Sequence, residues 1–95
     1  MNADHFNHPL VSIVIPVKNG LPYLAECIQS VLATEYPNLE IVVSDDGSVD
    51  GSTEYLNKLD IDQLTIVHPE KPLSIGEHWT FVSRFASGKY IKLLC

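Results

Sequence analysis

IVVSDDGSVDGS, residues 41–52, is an apolar run that ends abruptly in two adjacent aspartates, a glycine, a serine and a third aspartate. The β-branched run Ile41–Val43 suits a strand. Gly47 can take the positive φ of a tight turn, and Ser48 belongs with it. The stretch therefore reads as a buried strand that presents Asp45 and Asp46 at its carboxyl tip.

Working outward, the same strand signature recurs with helical periodicity between. LVSIVIPV is a β-branched run read as a parallel strand covered on both faces, without polar alternation. In NGLPYLAECIQSVLATEYP the period changes. Leu24, Cys27, Ile28, Val31 and Leu32 fall on one helical face, Pro22 suits the first turn, and Pro37 stops the helix. LEIVVS is the second strand. DGSTEYLNKL is a second helix, with Asp50 as N-cap accepting from the amide of Thr53. QLTIVH is the third strand. In SIGEHWTFVSRFASG, Ser74 and Glu77 form a capping box, Ile75, Trp79, Val82 and Ala86 form the apolar stripe, and Gly88 takes the C-terminal position. KYIKLL is the fourth strand. Four strands alternating with three helices across short connections imply an α/β fold with a doubly wound, mostly parallel sheet.

Composition narrows the function. The chain has 95 residues, 45% of them hydrophobic, and a net charge of -6. One small core fits that length. Without a Lys/Arg surplus, no nucleic-acid backbone is an expected partner. Cys27 and Cys95 form no metal or disulfide spacing, which fits a reducing, cytoplasmic setting. No run is long and apolar enough to span a bilayer.

In a doubly wound sheet, ligands bind outside the carboxyl ends of the strands. The exits to inspect are PVKNG, SDDGSVDG and HPEKP. A single glycine after the first strand rules out a dinucleotide fingerprint, and no P-loop is present. Carboxylates accept hydrogen bonds, so Asp45 and Asp46 suit a ligand that donates, such as the imide N–H of a base or ribose hydroxyls. Asn19 has two readings, a cap for the first helix or a ligand contact.

These segments, SIVIPVKN, LAECIQSVLA, DDGSVDGS and ASGKYIKLL in that order, resemble the opening of family 2 glycosyltransferases of the GT-A fold. Those are inverting enzymes that transfer a sugar from a nucleotide diphosphate donor during glycan or polysaccharide synthesis. The resemblance runs from Val11 to the last residue. It implies that Pro16, Val17, Lys18 and Asn19 line a nucleobase pocket. It implies that Asp46, with Asp45 beside it, accepts from the imide of uracil or an equivalent base, and that Ser48 belongs to the same nucleotide-binding set. A UDP-sugar is the implied partner. Lys18 stands where the family often has an aromatic or small polar residue.

The resemblance also implies a divalent cation, Mn or Mg, held by an acidic motif after the fourth strand, and a later carboxylate as general base. The sequence stops at Cys95, one step short of that motif. The expectation is a truncated nucleotide-sugar-binding domain over residues 10–95, preceded by a disordered segment 1–9. Such a chain holds no catalytic or metal residue of its own, is inactive alone, and self-associates through an exposed sheet edge.

Three other patterns are set aside. Asp60 and Asp62 spell D-x-D but lie between the second helix and third strand, at the wrong rim of the sheet. Asp46, Ser48, Asp50 and Gly51 match the start of a calcium loop, yet its twelfth place is Asn57 and a strand precedes it. A phosphoacceptor receiver domain carries its acidic pair after the first strand, where this sequence has PVKN. His5, His8, His68 and His78 share no metal-ligand spacing, and His78 reads as a polar helix-face residue.

Overall fold

The structure is a computed structural model that describes residues 8–94. Its elements are β1 (Val11–Val17), α1 (Tyr23–Leu32), β2 (Leu39–Asp45), α2 (Ser52–Asn57), β3 (Leu64–Val67), α3 (Ile75–Ser83) and β4 (Tyr90–Leu93). The strands form one four-stranded sheet in the order β3-β2-β1-β4. Every pairing is parallel, with Val17 opposite Asp45 at the end of the β1–β2 ladder. The chain steps from β1 to β2 to β3 in one direction and then crosses to the far side of β1, so the strand order reverses between β1 and β4.

Side chains alternate along a strand, and this sorts the core into two layers. Ile13, Ile15 and Val17 of β1 and Ile41 and Val43 of β2 meet Leu24, Ile28 and Val31 of α1 and Leu56 of α2. On the opposite face Val14 and Val42 pack on Val82 of α3, with Val67 and Ala86 around them. Each fully buried aliphatic side chain contributes ~1.5–3 kcal/mol. The second layer is thinner because Ser12, Pro16, Glu40 and Ser44 share its parity. β1 is covered on both faces, as its apolar run implies for a parallel strand.

Several local expectations are corrected. In α1, Leu32 is exposed, and Leu24, Ile28 and Val31 alone are buried. Pro22 sits at the N-cap rather than inside the first turn. In α3 the capping box forms as read, Ser74 Oγ accepting from the Glu77 amide at 3.3 Å and Glu77 Oε1 from the Ser74 amide at 2.9 Å. The buried face of that helix is His78 and Val82, while Ile75 is 80% exposed. The stripe turns because the imidazole of His78 finds a partner inside: its Nε2 lies 2.8 Å from the Ser44 hydroxyl.

Gly88 caps no helix, since α3 ends at Ser83 with Arg84 as C-cap. Its lack of a side chain answers to space instead. A Cβ there would stand 2.6 Å from Ser12 Oγ and 2.8 Å from the Leu10 carbonyl. The Gly88 amide donates to Ser12 Oγ at 2.8 Å, and Glu40 accepts from both Ser12 and Ser87 hydroxyls. This cluster joins the starts of β1 and β2 to the turn before β4.

Of the segment expected to be disordered, residues 1–7 lie outside the described residues, as does Cys95. His8 and Pro9 are tethered, their carbonyls accepting from Asn38 Nδ2 at 3.0 Å and from the Tyr36 hydroxyl. Tyr90, Ile91 and Leu93 are exposed on β4, an edge strand.

Candidate functional site

The exits of β1 and β2 are tied into one rim by a set of short-range bonds. The Asp46 amide continues the ladder, donating to the Val17 carbonyl at 2.9 Å. Three successive amides of the β1–α1 turn then donate to side chains of the β2–α2 loop and of the first residue of α2. Asn19 gives to Ser48 Oγ at 2.8 Å, Gly20 to Ser52 Oγ at 3.0 Å, and Leu21 to Asp50 Oδ2 at 3.1 Å. In return Asn19 Oδ1 accepts from the Val49 amide at 2.8 Å. Asn19 has φ +54°, a left-handed conformation that asparagine tolerates better than most residues. Of the two readings of Asn19 made from the sequence, the cap is not formed: the side chain caps no helix, and its Oδ1 is engaged by the neighbouring loop.

Asp50 likewise departs from its expected role. Gly51, at φ +98°, is the N-cap of α2, and the Asp50 carboxylate accepts from the hydroxyl and amide of Ser52 at 2.6 and 3.0 Å. The Ser52 hydroxyl is the main cause, against an opposing desolvation, that holds the Asp50 carboxyl below its ordinary range. β2 stands where a calcium loop of the helix–loop–helix kind needs a helix.

The two adjacent aspartates differ in what they have left to give. Asp45 is 1% exposed, and both its oxygens are used, Oδ1 by the Ser48 amide at 3.2 Å and Oδ2 by the Thr53 hydroxyl. Its backbone carbonyl lies 3.1 Å from His68 Nδ1. Asp46 is 5% exposed and commits Oδ2 to the Leu73 amide at 3.0 Å. Its Oδ1 accepts from no described residue. The rim thus presents one oriented carboxylate oxygen at a strand tip.

Beside it, Ile15, Pro16, Val17, Lys18, Gly20, Tyr23, Leu24 and Cys27 line a cavity of about 270 Å³. Pro16, Val17 and Lys18 of the seven residues singled out from the sequence meet there. Asp45, Asp46 and Ser48 do not line it, and Asn19 joins the two groups. A second cleft of about 530 Å³ opens past β3, between His68 and the Phe81–Phe85 pair.

A divalent cation does not fit the described residues. No group of three His, Cys, Asp or Glu side chains stands close enough to hold one. Asp60 and Asp62 are exposed in the connection that leads into β3, on the rim opposite the strand exits.

Sequence reading missed Ser52, Thr53, His68, His78 and the Leu73 amide as parts of this rim. For His78 a signal existed: with Val82 and Ala86 it repeats at a spacing of four, the face that α3 buries. The Leu73 amide is a backbone group, and no side-chain pattern announces it.

Comparison with known proteins places this geometry. A family model described as Glycosyl transferase family 2 matches residues 12–94. A glycosyltransferase of Rickettsia bellii (strain RML369-C) is 40% identical over 88 residues, 92% of this chain and 13% of the relative. The mannosyltransferase PcManGT from Pyrobaculum calidifontis, solved in complex with GDP-Man and Mn2+, superposes with a TM-score of 0.79 at 26% identity. That match covers 88% of this chain and 26% of the mannosyltransferase. S. aureus TarS, solved with UDP, superposes at 0.73 with 25% identity, again over 88% of this chain and 26% of its own. The chain thus spans only a small part of the proteins it matches. Among the described residues no helix is long and apolar enough to cross a membrane.

Proposed function

The chain belongs to glycosyltransferase family 2, and from that premise we propose that its strand-exit rim binds the nucleotide of a nucleotide-diphosphate sugar. The observation that carries this reading is the free Oδ1 of Asp46. A carboxylate oxygen at a sheet's carboxyl edge, fixed by the bond from Leu73 to its twin, accepts from an imide N–H at little ordering cost. Pro16, Val17 and Lys18 supply the adjoining wall. Asn19, Asp45 and Ser48 belong to the same site through the loop geometry they hold. The complexes of related folds with GDP-Man and with UDP support a nucleotide-sugar ligand. A UDP-sugar is the donor we favour.

The rest of the chemistry is proposed at the level of the whole enzyme. Transfer with inversion, in glycan or polysaccharide synthesis, needs a general base to take the acceptor's proton. A divalent cation, Mn or Mg, would offset the charge of the leaving diphosphate. None of the described residues is given either task. On this reading residues 1–95 bind the nucleotide without transferring the sugar, in a cytoplasmic setting, and associate along the β4 edge. Light scattering tests the association, a monomeric mass at high concentration speaking against it.

Isothermal titration of the chain with UDP and with GDP tests the binding. Saturable binding by the native chain, weakened at least tenfold in Asp46→Asn, is the expected result. Equal binding by both chains would remove Asp46 from the site.

A further inference from the structure

We propose that His78 is a positioning residue: by holding the first turns of α3 against β2 through Ser44, it sets the place of the Leu73 amide and so the direction of the Asp46 carboxylate. The inference rests on the nucleotide-binding reading above and deepens it, since Asp46 carries that reading and His78 acts only through it.

The bonds involved close a ring that leaves β2 and returns to it. Asp46 Oδ2 accepts from the Leu73 amide at 3.0 Å. Leu73 runs directly into Ser74, the N-cap, whose carbonyl accepts from the His78 amide at 2.9 Å and whose amide and hydroxyl are both bonded to Glu77. His78 Nε2 then lies 2.8 Å from the hydroxyl of Ser44, two residues before Asp46 in the chain. Ser44 is a firm anchor, fully buried and paired in the ladders with Pro16 of β1 and Val67 of β3.

The start of α3 has little else to hold it. Ile75, Gly76 and Glu77 are exposed, and His78 and Val82 alone are buried in that helix. Val82, one turn further on, packs on Val14 and Val42. Apolar contact is non-directional, so it would tolerate rolling of the helix about Val82. A hydrogen bond weakens steeply as its geometry departs from linear, so the imidazole fixes the rotation that burial leaves open. Leucine at position 78 would fill the layer without that constraint.

Amide hydrogen exchange followed by NMR in the native chain, His78→Leu, Ser44→Ala and His78→Gln tests this, with UDP and GDP titrations of the same chains and of Asp46→Asn. The amides of Val14 and Val42, in the central strands, report on global stability. His78→Leu and Ser44→Ala should each speed exchange at Leu73 by about fivefold beyond any change at Val14 and Val42, as loss of one hydrogen bond implies. His78→Gln, whose amide reaches the place of the ring Nε2, should restore most of the protection. Nucleotide affinity should fall and recover in the same order. Ser44→Ala leaves the helix itself unaltered, so the test stands even where His78→Leu does not fold. Equal acceleration at all three amides, or none at Leu73, would overturn the positioning role. Selective acceleration at Leu73 with affinity lowered only in Asp46→Asn would overturn it too, because the carboxylate would then keep its direction without His78. Selective acceleration with affinity unchanged even in Asp46→Asn, or with no nucleotide bound by any chain, would leave the positioning of Asp46 standing and overturn the nucleotide reading instead.

Discussion

The side-chain carbonyl of Asn19 accepts the Val49 amide at 2.8 Å while the Asn19 amide donates to Ser48 Oγ at the same distance, so two strand exits are clasped from both directions. The clasp depends on a left-handed backbone at Asn19. Asn19→Val combines a β-branched side chain at positive φ with the loss of one bond. It should cost about 2–3 kcal/mol, whereas Asn19→Gly, which keeps the conformation, should cost about 1. Urea unfolding at neutral pH checks the order, and equal costs would show that the backbone conformation is not what the residue supplies.

Gly88→Ala should be among the most damaging small substitutions in the chain. The new methyl meets backbone at Leu10 and Ser12 as well as the Ser12 hydroxyl, so no side chain can simply swing away. A loss of about 1–3 kcal/mol follows from overpacking of that kind. The denaturation midpoint of the alanine variant measures it, and a midpoint within error of the native chain would contradict the close approach of β1 and the β4 turn.

Glu40 makes stability depend on pH. Burial disfavours its charge, but bonds from the Ser12 hydroxyl, the Ser87 amide and hydroxyl and the Gly88 amide outweigh this and hold its carboxyl below the ordinary 4.5. A folded-state pKa below the unfolded one gives stabilisation that is present above the unfolded value and lost as pH falls through the folded one. The native chain should therefore be more stable than Glu40→Gln at neutral pH, with the gap closing as pH drops below 4.5. Paired unfolding curves from neutral to acid pH measure the gap, and a constant gap would show that the carboxylate's charge plays no part.

His78→Leu leaves the fully buried Ser44 hydroxyl without its partner. An unsatisfied buried hydroxyl costs about 1–3 kcal/mol, and Ser44→Ala in the same chain should return part of it. A double-mutant cycle reads the coupling, and additive losses would mean that the two residues act separately.

Much of the architecture is legible in the sequence, because strand and helix periods alternate cleanly from Val11 to Leu93 and Ser74 with Glu77 marks the start of α3. Faces and caps were harder to read. Hydrophobicity alone puts the apolar stripe of α3 through Ile75, yet His78 is the buried residue, with the Ser44 hydroxyl as its partner. Asp50 reads as a cap because Asp often is one, but its two oxygens are taken by the Leu21 amide across the loop and by the Ser52 hydroxyl two residues on. The site shows the same division. Sequence located the acidic tip, while the difference between a consumed Asp45 and an available Asp46 comes from Thr53, Ser48 and Leu73, contacts set by the fold.

Amide chemical shifts of the chain, recorded during titration with UDP and GDP, address the central claim most directly. The account predicts saturable changes concentrated at Val17, Lys18, Asp46 and Leu73, the last because its amide is bonded to the carboxylate that meets the base. Nucleotide-dependent changes absent from those residues, or confined to Asp60 and Asp62 on the opposite rim, would contradict it.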